Sequence, residues 1–224
     1  MAYLPSKPVE FTGGCYCSAI RYTIKIPALD QRPEPPNSLP TPIDKRGHTV
    51  PTRFPLIGFD HCQSCRRACG APVQLWMILP YSWAFFTLQP RDPDHTGSYA
   101  EPFSPTEAKG YATRDIVAPS KDVLATTYLG MYESSPNTHR SFCTQCGTPL
   151  LYAFVGDRGP AWTAEPVLDI AAGTLDQESF DQIKPERHDW WEDGTSWVKK
   201  VLREGDGGVL IRHPTGTLNL KVED

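Results

Sequence analysis

The sequence contains no surplus of basic residues and no apolar segment near its first residue. Its 22 Lys and Arg residues are outnumbered by 26 Asp and Glu residues, so the formal net charge at pH 7 is −4. We therefore expect no overall electrostatic attraction to nucleic acid and no nucleic-acid partner. The first ten residues lack the apolar run of a secretory signal, and we expect a cytoplasmic location.

An uninterrupted apolar run that could span a membrane is also missing. Residues 71–88 form the most apolar stretch, but Pro80 divides it into two pieces of strand length. We predict strands at 73–79 and 83–88 that belong to the core, and we expect no membrane partner. The 23 prolines favour short strands and long loops over long helices.

Local patterns predict two further strands and one turn. Apolar and polar residues alternate over Ile20–Ile26, which predicts a half-buried strand, and a strand is also predicted over residues 124–132. Gly147, directly after Cys146, is expected to adopt a left-handed conformation at no steric cost.

The proline-rich and polar segments bear on domain organisation. We predict a single domain over residues 1–224, a length that can bury a substantial core. Residues 27–57 alternate proline with polar residues, and residues 89–122 are polar, so both are interpreted as inserts into that domain. A domain linker is the alternative for the first insert. For the second, a lid over the site is the alternative to a surface loop.

Six of the seven cysteines fall into close pairs. Two outer pairs, Cys15/Cys17 and Cys143/Cys146, flank a central pair, Cys62/Cys65. In a chain without an export signal, such pairs favour reduced thiolates on a metal ion over disulfides. We interpret the outer pairs as ligands of one structural metal ion. The central stretch, Gly58 to Gly70, is interpreted as a second metal site with an open position.

Several motifs of the chain resemble those of one known family. The central motif is His61-Cys62-Gln63-Ser64-Cys65-Arg66-Arg67. It is preceded by Gly13-Gly14-Cys15-Tyr16-Cys17 and followed by Arg140-Ser141-Phe142-Cys143-Thr144-Gln145-Cys146-Gly147-Thr148, then by Gly173-Thr174-Leu175-Asp176. In this order they resemble the glutathione-dependent formaldehyde-activating enzymes and centromere protein V.

The resemblance implies a mainly β fold of several coiled antiparallel sheets organised around zinc sites, with long Pro-rich loops and little helix. A structural zinc ion would be held by Cys15, Cys17, Cys143 and Cys146, and a catalytic one by the central stretch. The implied activity is that of a lyase that makes or breaks a carbon–sulfur adduct, with formaldehyde and glutathione as the family's substrates.

The central motif departs from the family pattern, because Asp60 occupies the position of a third cysteine ligand. Three hypotheses follow. Asp60, Cys62 and Cys65 bind zinc together; or no metal binds stably and Asp60 is a free general base; or Cys69, four residues after Cys65, completes the ligand set. The third hypothesis requires a helix that begins after Cys65. The alternative role for Cys69 is that of a small buried residue.

The remaining site predictions concern histidines and arginines. Asp60, Cys62, Cys65 and His188 are predicted to be catalytic, with a structural hydrogen bond as the alternative role for His188. Arg66 and Arg67 are predicted to bind a substrate carboxylate. His61 is expected to pack rather than to bind metal, because its side chain would face away from those of its two neighbours.

Two other functions stay open. With Asp60 in the site, an isomerase or cyclase that acts on a reactive carbonyl metabolite could use the same Lewis acid. A non-catalytic zinc-binding module, like the chromatin-associated branch of the family, is less favoured because the chain is acidic.

Overall fold

The computed structural model describes residues 4–36, 53–92, 105–159 and 164–208, together with 103, 162 and 210. The strands in these residues are β1 (Val9–Gly14), β2 (Ile20–Ile26), β3 (Leu56–Asp60), β4 (Gln74–Pro80), β5 (Ala84–Leu88), β6 (Lys109–Ala112), β7 (Leu129–Ser135), β8 (Thr138–Cys143), β9 (Pro149–Phe154), β10 (Val167–Ala171) and β11 (Arg187–Asp189). The α-helices of the same residues are α1 (Gln63–Cys69), α2 (Thr113–Val117), α3 (Lys121–Thr126), α4 (Gln177–Phe180) and α5 (Ser196–Glu204).

The strands form two sheets. The small sheet has the order β1-β2-β5-β6, and the large sheet has the order β11-β3-β4-β10-β9-β8-β7. The prediction of a mainly β protein with few helices is confirmed. The prediction of antiparallel sheets is wrong at one edge, because β11 pairs with β3 in parallel. A long connection separates these two strands in the chain, and such a connection permits parallel pairing, whereas a tight hairpin does not.

Side-chain alternation places one face of each sheet in a shared core. In β2 the predicted alternation is confirmed: Ile20, Tyr22 and Ile24 are buried, whereas Lys25 is exposed. They pack in one cluster with residues of the large sheet such as Met77. The opposite face of the large sheet carries a smaller cluster around Trp76, against which the cysteines of α1 pack. The candidate central site lies on this second face.

The apolar stretch 71–88 forms β4 and β5, as predicted, with a 3₁₀ turn at Tyr81–Trp83 between them. Both strands contribute side chains to the core. No helix in the part of the chain that the structure describes has both the length and the apolar character needed to cross a bilayer.

Regular structure occupies part of the second predicted insert. Residues 109–112 form β6, which adds an edge strand to the small sheet, and α2 follows with Ile116 and Val117 buried. The interpretation of 89–122 as a surface loop is therefore wrong for this part. Of the first insert, positions 37–52 lie outside the described residues.

A strand expected over 124–132 begins later than the sequence pattern suggests. Residues up to Thr126 belong to α3, and β7 starts at Leu129. The Ser120 hydroxyl accepts a hydrogen bond from the Val123 amide at 3.2 Å and caps the helix. This cap stabilises a helical turn at a place where the sequence pattern predicted a strand.

Candidate metal centres

The outer cysteine pairs meet at one place in the structure. Cys15 and Cys17 lie in and beside the turn that joins β1 to β2. Cys143 ends β8, and Cys146 lies in the turn that follows it. The four Sγ atoms all lie within 4.8 Å of one another. Cys15 and Cys17 are separated by 3.5 Å, and Cys17 and Cys143 by 3.7 Å. The predicted assembly of these four residues is confirmed, although more than 120 residues separate the pairs in the chain.

Backbone hydrogen bonds shape both turns. The Gly147 amide donates to the Cys143 carbonyl at 2.9 Å, and Gly147 has φ = 74°, as the sequence predicted for the residue after a cysteine knuckle. The N-terminal turn uses the same device without a glycine: the Ser18 amide donates to the Cys15 carbonyl at 3.0 Å, and Ser18 has φ = 65°. Left-handed backbone lets each chain reverse within a few residues and bring its sulfurs together.

The donor set and its spacing fit a zinc ion. A tetrahedral zinc ion with Zn–S bonds of about 2.3 Å holds its sulfurs about 3.8 Å apart, close to the two distances above. All seven cysteines, which lie in the described ranges, are free of disulfide bonds. We conclude that this group, called the outer cysteine group, can hold one metal ion in a closed site.

The thiols of the outer cysteine group differ in acidity. Hydrogen bonding to Cys15, together with burial, raises the pKa of Cys143, and burial raises the pKa of Cys17 to about 12. Burial also acts against ionisation of Cys146, but hydrogen bonds from Thr148 and from backbone amides outweigh it and lower the pKa of Cys146 to about 6. Ionisation of all four thiols together would require a compensating cation, because adjacent thiolates repel one another.

The second group of donors is formed by Asp60, Cys62 and Cys65, called here the central group. Asp60 ends β3, Cys62 occupies the N-cap position of α1, and Cys65 lies in the first turn of that helix. One oxygen of Asp60 and the two sulfurs lie within 4.8 Å of one another. The spacing permits one metal ion with three protein ligands, which is the ligand number of catalytic zinc sites.

The carboxylate of Asp60 is held in place by two hydrogen bonds. Its Oδ1 accepts from the Cys62 amide at 2.7 Å, and its Oδ2 accepts from the indole Nε1 of Trp76 at 3.1 Å. Each oxygen keeps a further lone pair for a cation. This geometry fits a ligand or a positioned carboxylate better than a freely moving general base.

The two thiols of the central group have different surroundings. Cys62 is half-buried, and its Sγ lies 3.0 Å from the Ser64 hydroxyl. Although burial opposes ionisation, this hydroxyl and nearby amides lower the pKa of Cys62. Cys65 is buried, accepts a hydrogen bond from Nη2 of Arg140 at 3.3 Å, and has its pKa raised to about 12, chiefly by burial.

Cys69 does not join the central group. It lies in α1, as the third hypothesis required, but its sulfur is not among the donor atoms that lie within 4.8 Å of one another. Its half-buried side chain packs against the cluster around Trp76. The third hypothesis therefore has no support in the geometry, and packing accounts for this residue.

His188 and His61 lie together rather than with the cysteines. Nδ1 of His188 is 3.1 Å from Nε2 of His61, and the His188 ring stacks on Phe59 at 5.7 Å. His61 is buried and meets the edge of Trp191, with ring centroids 5.0 Å apart. Neither histidine is part of the central group, and this placement matches the structural hydrogen bond weighed for His188.

Arg66 and Arg67 lie on the last turn of α1, where positive charge is favourable to the helix dipole. Arg66 is half-buried and Arg67 is exposed. The arginine that the structure brings to the central group is instead Arg140 on β8. Its place in a cysteine-containing motif was visible in the sequence, but the pairing of distant strands that carries it to Cys65 was not.

Two cavities in the described part of the chain are lined by arginine side chains. One of about 240 Å³ lies between α1 and the β8–β9 turn, and Cys69, Trp76, Tyr132, Arg140 and Phe142 are among its lining residues. A larger one of about 420 Å³ lies near the end of β9, lined by residues that include Arg114, Arg158 and Trp162. Asp60, Cys62 and Cys65 do not themselves line the smaller cavity, but Trp76 and Arg140, which donate hydrogen bonds to Asp60 and Cys65, do. The smaller cavity is therefore the candidate substrate pocket.

Asp169 is a further polar residue on the face that carries the central group. It faces away from the main core, because its neighbours Leu168 and Ile170 are fully buried there. Desolvation raises the pKa of Asp169 to about 7, and the charge of Arg158 only partly offsets this effect. The sequence offered no signal for this residue, because a single acidic residue within a strand is normally solvated.

The comparisons with known proteins add no relative: no family model matches the chain, and no curated protein matches it. The family resemblance carried by the motifs thus stays a prediction.

Proposed function

We propose that the protein is a zinc-dependent enzyme of the lyase type that acts on a small reactive carbonyl compound or on its thiol adduct. The observation that carries this proposal is the central group, in which a carboxylate oxygen and two sulfurs converge within 4.8 Å. A third side chain within ligand distance is enough to hold zinc, and three ligands leave a position for substrate. The motif resemblance to the formaldehyde-activating enzymes supports the same activity.

The two groups would have different tasks. The outer cysteine group would hold a structural zinc ion and tie the β1–β2 turn to the β8–β9 turn. Its four sulfurs would supply all four ligands of a tetrahedral zinc ion, and two of its members, Cys15 and Cys143, are buried. The central group would hold the reactive zinc ion, with Cys62 at its more accessible side.

When bound at the central group, zinc supplies a Lewis acid that polarises a carbonyl oxygen or keeps a substrate thiol deprotonated. Asp60 would provide a harder ligand than the cysteine it replaces, and its hydrogen bonds to Cys62 and Trp76 keep that ligand oriented. The packing of α1 against the sheet excludes water from Cys65.

Glutathione is the thiol that the family resemblance suggests. Asp60 stands where the family pattern has a cysteine. This difference also favours a second candidate function that uses the same Lewis acid, namely an isomerase or cyclase that acts on a carbonyl metabolite. The doubly hydrogen-bonded carboxylate supports this candidate, because a ligand set with one fewer thiolate makes the metal ion a stronger Lewis acid.

Metal counting tests the proposal. We expect two zinc ions per chain in the purified, reduced protein, measured by elemental analysis, and one in Cys62→Ser. Release of formaldehyde or glyoxal from its glutathione adduct is then followed with the zinc-loaded protein. One zinc ion per chain in the unchanged protein would refute the proposed reactive site.

A further inference from the structure

Arg140 is a buried arginine whose charge is not matched by a carboxylate. It is 5% exposed, and it forms no ion pair with Asp or Glu within the described ranges. A buried guanidinium requires an anionic or strongly accepting partner, because desolvation of an unpaired charge is costly. The partner of Arg140 is therefore a group other than the carboxylate of Asp or Glu.

The hydrogen bonds of Arg140 identify one such partner. Its Nη2 donates to Sγ of Cys65 at 3.3 Å, and its Nε donates to the Ser134 hydroxyl at 3.3 Å. The guanidinium also lies over the ring of Tyr152, 4.9 Å from the centroid. These contacts hold the guanidinium plane in one orientation. Nη1 has no acceptor among the residues that the structure describes.

The same side chain lines the cavity of about 240 Å³ between α1 and the β8–β9 turn. Trp76, Tyr132 and Phe142 supply aromatic walls, and Arg140 is the charged residue in the described part of its lining. The volume is below the 300–1,000 Å³ that is typical of sites for drug-sized ligands, which limits the ligand to a small metabolite. Arg66 and Arg67, predicted from sequence to bind a carboxylate, do not line it.

We propose that this cavity is the substrate pocket of the central group and that Arg140 binds an anionic oxygen of the substrate there while its other nitrogen holds Cys65. The inference rests on the proposed function and adds a substrate class, namely small carbonyl compounds or thiol adducts that carry a carboxylate. A planar guanidinium with free N–H donors is well suited to bind a carboxylate.

Arg140 has two roles in this proposal, one toward the metal ligand Cys65 and one toward the substrate. A single substitution can remove both. As a donor to a ligand sulfur, it positions Cys65, and the loss of such a contact typically lowers metal affinity about 10–100-fold. As a cation in the cavity, it attracts a carboxylate. Arg140→Lys keeps the charge but replaces the planar group, so it should restore part of the carboxylate binding while leaving metal affinity reduced.

Calorimetric titration of the zinc-loaded protein with pyruvate, and with the uncharged compound acetone, tests the inference. We expect pyruvate to bind and acetone to bind at least 10-fold more weakly. Arg140→Met should weaken pyruvate binding at least 10-fold, and Arg140→Lys should recover part of it. Lys25→Met, which removes one exposed charge from the small sheet, is the matched control and should bind pyruvate like the unchanged protein.

A second variant covers the case in which Arg140→Met does not fold. Ala68→Phe adds a ring to the exposed side of α1 that lines the cavity and does not alter Arg140 or the central group. It should abolish pyruvate binding while two zinc ions per chain remain. Undiminished pyruvate binding in Ala68→Phe, or in a folded Arg140→Met, would overturn the inference.

Zinc content and pyruvate binding together distinguish a failure of this inference from a failure of the proposed function. Two zinc ions per chain without measurable pyruvate binding would refute the substrate class alone. One zinc ion per chain would refute the reactive site, whatever pyruvate does. Competition with a chromogenic chelator provides the affinity of the second zinc ion in the unchanged protein and in the Arg140 variants.

Discussion

The outer cysteine group and the central group are both clusters of sulfur donors, but they are built differently. The outer group joins two turns far apart in the chain and offers four sulfurs. The central group lies within six residues of one strand–helix junction and offers two sulfurs and a carboxylate. A donor set that spans the chain constrains the fold, whereas a local set adds little constraint and can leave a ligand position for chemistry.

The largest effect is expected at the outer group. Cys143→Ser removes a fully buried sulfur at the end of β8 that lies 3.7 Å from the sulfur of Cys17 in the N-terminal turn. Because structural zinc contributes on the order of 10–16 kcal/mol in small metal-folded peptides, we expect loss of cooperative thermal unfolding. Circular dichroism melting and zinc analysis measure this, with Cys69→Ser as control. A soluble, cooperatively melting Cys143→Ser variant free of zinc would contradict the structural role.

The contrasting variant is Cys62→Ser in the central group. Cys62 is half-buried at the start of α1, and its ligand partners are within a few residues. We expect the loss of one zinc ion and of activity, but a decrease in unfolding free energy of about 1 kcal/mol or less. Urea denaturation followed by tryptophan fluorescence tests the difference. If this variant unfolded as completely as Cys143→Ser, the two groups would not differ in the way described.

A pH effect is expected from Asp169, on the sheet face that bears the central group. Burial holds its pKa at about 7 in the folded protein, above the ordinary value of 3.8. The folded state therefore favours the protonated form, so the stability contribution is complete below about pH 4 and is lost as the pH rises through 7. The other titratable groups near Asp169 are Asp60, Tyr81, Arg140, Tyr152, Arg158 and Asp189.

Asp169→Asn removes this titration. We expect the variant to gain stability over the unchanged protein between pH 4 and pH 8, on the order of 2 kcal/mol after allowance for partial solvent access. Urea midpoints at several pH values measure the gain, and Asp181→Asn, at an exposed position, is the control. A gain that does not change with pH would show that Asp169 is not the titrating group.

A further small effect is expected at the glycines that close each junction. Gly147 in the β8–β9 turn and Gly70 at the end of α1 have φ values of 74° and 65°, and a Cβ at either would meet no atom within 4 Å. Alanine at each position should therefore cost only the left-handed backbone penalty, about 1 kcal/mol. Gly147→Ala should in addition lower zinc retention. Equal zinc contents in the two variants would remove that distinction.

Several features of the molecule could be predicted from particular residues. The alternation in Ile20–Ile26 identified β2, because successive side chains of a strand face opposite sides. The division at Pro80 separated β4 from β5. The pairs Cys15/Cys17 and Cys143/Cys146 indicated one shared group, since closely spaced cysteine pairs are typical of metal sites.

Other features could not be predicted from local patterns. α3 formed where a strand was expected, and the Ser120 cap stabilises its first turn. β6 was not predicted because it lies in a polar segment, and an edge strand needs few apolar residues. The parallel pairing of β11 depends on where the chain returns to the large sheet, and no local pattern encodes that position.

The sequence by itself determined the donor atoms: the cysteine spacings, Asp60 beside the central pair, and the left-handed turn at Gly147. These features depend only on residues that are close in the chain, because short-range steric contacts determine their geometry. Only the tertiary structure decided that Arg140 reaches Cys65 and that Asp169 shares their face. Strand order and register set these contacts, and they arise from the burial of a whole sheet face rather than from any single segment.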